Sequence, residues 1–198
     1  MNRRALLLVP PLALWPVVNG GLAYVPFEGA GNFYGGLLHP LFTPTHALAV
    51  LALGLLAGQQ LPRWRWPQPL AYVVGLGVGF AVMVSALPPG PAGEILLATA
   101  VASGMLVALA QPLSPTLGCA LVFTAGVALA LDSPPGVISV SEANVIIIGT
   151  FCGATILFLA LRELVAKLRR HWQRIGVRIV GSWLAAIALM GLAMHMAR

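Results

Sequence analysis

Apolar residues in this chain do not alternate with polar ones. They run together in blocks separated by short stretches rich in proline, glycine and charge. A block of about 20 apolar residues is long enough to cross a bilayer as a helix. Seven such blocks are predicted, at roughly residues 5–24, 37–58, 70–88, 93–110, 117–131, 145–162 and 176–195. Their glycines and alanines suit close packing of membrane helices, most densely in "GLGVGF" at Gly75–Phe80. The predicted fold class is therefore all-α, a polytopic transmembrane helical bundle of six to seven spans forming a single membrane domain over residues 1–198. The longest hydrophilic stretch, about Arg162 to Gln173, reads as a short amphipathic connection along the inner surface.

The first block has two readings. "MNRRALLLVPPLALWPVVNGGLA" has a basic start, an apolar middle and small residues near its end. It is either the first transmembrane helix or a signal peptide covering residues 1–23. Cleavage near Ala23 leaves six spans and the same orientation for the rest.

Composition supports a bilayer as the solvent: 59% of the 198 residues are hydrophobic and 8% are charged, where a soluble domain carries about a quarter charged. The net charge of +6 does not imply a nucleic-acid partner. Its Lys and Arg residues flank apolar blocks, as the positive-inside rule requires. Arg3 and Arg4, the Arg63/Arg65 loop and the "RELVAKLRRHWQR" segment all fall on the inner side in a seven-span alternation. The charged outer loops hold acids, Glu28 in one and Asp132 and Glu142 in the other. This places the chain in the cell's inner membrane, with the N-terminus cytoplasmic when it is retained and the C-terminus outside. Cys119 and Cys152 lie within apolar blocks without CxxC spacing and read as free buried thiols.

Polar groups within a bilayer are costly, which makes each a functional candidate. Here they gather at the predicted outer side. His39 stands at the mouth of the second block with His46 seven residues deeper, Glu94 opens the fourth, Asp132 closes the fifth and His195 ends the last. Imidazoles with carboxylates suit nickel, cobalt, copper or zinc. On a straight helix His39 and His46 would stand about 10 Å apart along the axis, too far for one ion held by bonds near 2 Å. Pro40 and Pro44, however, forbid a regular helix between them. Broken membrane helices are tolerated where protein or a water-filled cavity satisfies the freed backbone, and they are common at transport sites. Enzyme chemistry finds little support. "VGSW" lacks the second glycine of a nucleophile elbow, and the lone Asp132 excludes a paired-aspartate protease.

"HPLFTPTHALAVLALGLLA" resembles the signature of the HupE/UreJ proteins, approximately HPxxGxDHxxAMxAVGLxA, with His39, Pro40, His46, Ala49, Gly54 and Ala57 in register. "PPGPAGEILLATAVASGMLVALA" resembles the next family block, a proline-rich outer turn followed by a glutamate, and "RIGVRIVGSWLAAIALMGLAM" the closing helix. The signature glycine is Thr43 and the signature aspartate is Thr45. A second family motif, a repeated His-Gly pair with a following Glu, is replaced by "LDSPPGVISVSEANVI". The resemblance implies a membrane permease, not an enzyme, that imports a nickel or cobalt ion and holds no permanently bound cofactor. The resemblance carries His39, His46 and Glu94 into the metal site; from its place at the outer side Asp132 joins them, with Glu94 and Asp132 neutralising the ion's charge, Thr43 and Thr45 nearby and Pro40 and Pro44 breaking the helix. The alternative is a non-transporting membrane subunit packed in a larger complex. Expected partners are the lipid bilayer, the divalent ion, and partner helices or further copies of the chain.

Overall fold

The computed structural model describes residues 31–61, 66–85, 90–135 and 139–197. Seven helices occupy them: α1 Gly31–Phe42, α2 Pro44–Gln59, α3 Pro67–Val84, α4 Ala92–Leu109, α5 Pro115–Leu131, α6 Val140–Lys167 and α7 His171–Met196. No strand occurs among the described residues. The all-helical expectation holds.

The span count is reached only in part. Among the described residues α3, α4, α6 and α7 are each long and apolar enough to cross a membrane, and α1 with α2 makes a fifth if the bent pair is one span. Helix α5 is apolar but has 17 residues, about 26 Å at 1.5 Å per residue. The block expected at residues 5–24 lies outside the described residues, as do Glu28, Arg63, Arg65 and Arg198.

Sequence signals mark several helix ends. Ser114 accepts a hydrogen bond from the Leu117 amide at 3.4 Å, and Pro115 follows at the first helical position, where its missing N–H costs nothing. Helix α4 ends at Ala110, whose φ of 52° turns the chain out of the helix. The hydrophilic stretch read as an amphipathic surface connection is mostly helix and mostly exposed. Helix α6 runs on through Arg162 to Lys167, and α7 starts at His171. Arg162 is buried near the end of α6 with its guanidinium donating to Glu163 at 2.6 Å. Strong helix formers such as Arg, Glu, Leu, Ala and Lys carry that turn, which a hydropathy reading assigns to the surface.

Helix α2 is the centre of the bundle. It is buried almost continuously from Ala49 to Gly58 and packs against α4 on one side and α6 on the other. Around it the remaining helices form close pairs, α3 with α5, α4 with α7 and α1 with α6. The "GLGVGF" stretch shows how such closeness arises. Gly75 and Gly79, four apart and so on one face, both meet α5; a Cβ on Gly79 would lie 2.6 Å from the Val127 carbonyl oxygen. Gly77, between them, faces open space. With no hydrophobic drive between helices in lipid, this backbone approach is a main source of association.

Ser and Thr hydroxyls inside the bundle bond back to their own helices. Thr99 donates to Leu96, Ser103 to Thr99, Thr155 to Phe151 and Ser133 to Leu129, at 2.7–2.8 Å. Their polarity is thus neutralised locally. Cys119 and Cys152 are free, as expected, but only half-buried.

Candidate functional site

The break between α1 and α2 falls on Thr43, and its cause is in the sequence. A residue before proline is driven out of the α region by the proline ring, and Thr43, before Pro44, adopts φ −86°, ψ 113°. The Thr43 amide still donates to the His39 carbonyl at 3.0 Å, and its own carbonyl accepts from Ala47 at 2.9 Å. Backbone pairing is thereby kept on both sides while the helix axis turns by 69°. Of the two prolines expected to break the helix, Pro44 does so; Pro40 sits inside α1.

The turn folds His39, in the last turn of α1, back over His46, in the first turn of α2. Their ring centroids are 5.0 Å apart and the planes meet edge to face at 78°. The pair is therefore about half as far apart as a straight helix would hold it. His46 is completely buried, and its Nε2 lies 3.0 Å from Oδ2 of Asp132. A carboxylate only accepts, so Nε2 donates, and a neutral ring then presents Nδ1 as a bare lone pair. That Nδ1 is buried with no hydrogen-bond partner among the described residues, and so is Nε2 of His39. The other nitrogen of His39, Nδ1, pairs with the Thr43 hydroxyl at 3.3 Å.

Asp132 reaches this place from the end of α5, where its amide closes the helix on the Ala128 carbonyl at 2.9 Å. Its carboxylate is about one-third exposed. On its other side lies the first turn of α4, where a Cβ on Gly93 would meet Asp132 Oδ1 at 3.3 Å. The free amides of a helix N-terminus stabilise a negative charge there.

The residues singled out from sequence thus divide. His39, Thr43, His46 and Asp132 form one cluster. Glu94 stands apart from it in its contacts, its carboxylate 3.8 Å from Nδ1 of His195, with both side chains about two-fifths exposed. Thr45 is half-buried. Asp132 partners His46, and of the two threonines expected around the site Thr43 pairs with His39. The pairing of Glu94 with His195 was not foreseen, although both were placed at the same end of the bundle. Among the described residues no three His, Cys, Asp or Glu side chains are grouped so as to hold a metal ion.

These features define an all-helical membrane protein with two imidazoles paired at a broken helix. The family model of the HupE/UreJ proteins matches residues 12–194, and the chain belongs to that family. No curated protein and no solved structure matches it.

Proposed function

We propose that this protein is a permease that carries a small divalent cation, nickel or cobalt, inward across the cytoplasmic membrane, and that the ion enters between His39 and His46. The single observation that carries this reading is the turn at Thr43, which brings two imidazoles to 5.0 Å and leaves one buried nitrogen of each without a partner among the described residues. An unpaired buried acceptor is costly, and a cation of imidazole-binding type relieves it. The family is one associated with nickel and cobalt transport, which points the same way.

In this reading Asp132 has two effects. It holds the His46 ring through Nε2, as carboxylates do for histidines that ligate metals through their other nitrogen. It also places a negative charge beside the entering ion, the charge that Thr45 does not supply. Two imidazoles with a carboxylate behind one of them make a weaker site than a closed cage. Weak binding suits transport, because an ion held too firmly does not leave. The mouth faces outward and the arginine-rich ends of α6 and α7 face the cytoplasm, following the distribution of basic residues.

The test is uptake of radioactive nickel and cobalt by cells expressing the native chain, His46→Ala and Thr45→Asp. Uptake by the native chain that is lost in His46→Ala supports the permease. No uptake by the native chain, with gain in Thr45→Asp, would instead mark a fold that has left transport behind and serves as a packing subunit.

A further inference from the structure

At the opposite end from the histidines, the C-terminal ends of α2, α4 and α6 and the first turns of α7 enclose a cleft of about 430 Å³, within the range of small-ligand sites, about 300–1,000 Å³. Among the described residues its polar lining consists of Gln59, Gln60, Gln111, Arg174 and Arg178, without a carboxylate. Three helix C-termini facing one cleft would ordinarily favour a cation. Here side-chain donors already cap the last carbonyls of α4 and the segment after it. Gln59 donates to Val107 at 3.3 Å, Gln60 to Gln111 at 2.9 Å and Arg178 Nε to Ala108 at 2.8 Å. The Gln111 amide bonds Leu106 and the Ala110 amide bonds Val107.

Positive charge is left over. The Nε bond fixes Arg178 against α4 while its two Nη groups carry no bond to a described residue. Arg174 lies four residues earlier, on the same face of α7. Neither takes part in an ion pair among the described residues, and the nearby Glu163 is engaged by Arg162. The level of the cleft is marked by Trp66 and Trp172, both mostly exposed, at the starts of α3 and α7. Exposed tryptophans of this kind lie at the headgroup layer of a bilayer.

We infer that this cleft is a binding site for the phosphate of an anionic phospholipid in the leaflet on the arginine-rich side, held by Arg174 and Arg178. Guanidinium and phosphate pair through two parallel hydrogen bonds, and basic pockets between membrane helices bind such headgroups. The site is independent of the cation mouth, so its occupancy does not depend on whether the chain transports.

The experiment is native mass spectrometry of the purified full chain, titrated with short-chain phosphatidylglycerol, with phosphatidylcholine of equal chain length, and with inorganic phosphate. One phosphatidylglycerol should bind in preference to phosphatidylcholine. Arg174→Gln should weaken it about tenfold, the size of a charge-assisted hydrogen bond, and the pair with Arg178→Gln should weaken it further. Lys167→Gln with Arg169→Gln removes the same charge outside the cleft lining and should change binding less than about threefold. Equal losses in the two double variants would mean a diffuse field and overturn the site, as would equal binding of the two lipids. Displacement of the lipid by equimolar inorganic phosphate would overturn the lipid assignment in favour of a soluble anion. If Arg178→Gln does not fold, Arg174→Gln alone decides.

Discussion

At the arginine-rich end of the bundle, side-chain donors from α2 and α7 reach the last carbonyls of α4 and the segment after it, so Gln59, Gln60 and Arg178 finish what the helix leaves open. At the histidine end, the chain breaks its own helix at Thr43 and sets two imidazoles against each other, with a nitrogen of each unbonded among the described residues. Both ends contain buried polar groups on the same central helix, α2. One end uses them to complete backbone pairing, and the other keeps hydrogen-bonding capacity in reserve. A buried polar residue near a membrane helix end is therefore informative about ligands only after its partners are known.

Breaking the Asp132–His46 pair should have the largest effect. Asp132→Ala frees the His46 ring and removes the local charge, and loss of such a partner weakens metal affinity by about ten- to a hundredfold. The apparent KM for nickel uptake should rise accordingly, with the protein still folded. An unchanged KM would remove Asp132 from the mouth. The matching cut at the other end is Gln60→Leu, which strips the Gln111 carbonyl of its donor. It should lower stability by about 1–3 kcal/mol, read as a fall in melting temperature, while the KM for uptake stays put. A change in KM there would blur the contrast between the ends. The smallest effect belongs to Glu94→Gln. Its contact with His195 is 3.8 Å long and well exposed, and such pairs contribute little. Uptake should stay within about twofold of the native value, and a larger loss would show Glu94 acting on the ion directly.

Much of this was legible beforehand, for reasons that differ by residue. Apolar blocks of bilayer length announce helices because lipid leaves the backbone no other way to satisfy itself. The interruption between His39 and His46 could be read from two prolines, but its position on Thr43 depends on the steric effect of Pro44, while Pro40 is accommodated in α1. Asp132 was suspected from its place at the end of a block. That it bonds His46, 86 residues earlier, is a matter of how α5 packs and has no local signal. The run through Arg162 reads as a connection because hydropathy sees its charges and not its helix propensity or the burial of Arg162 beside an exposed Glu163.

The turn at Thr43 also orders events in time. Helix α1 has 12 residues, about 18 Å, well short of the roughly 30 Å hydrocarbon core, and its main packing partner is α6. A ribosome delivers α6 about a hundred residues after α1, with Asp132 just before it. Throughout that interval His39 and His46 stand without the carboxylate and without the helix that braces α1. The two imidazoles are thus synthesised well before the carboxylate and the helix that complete their surroundings.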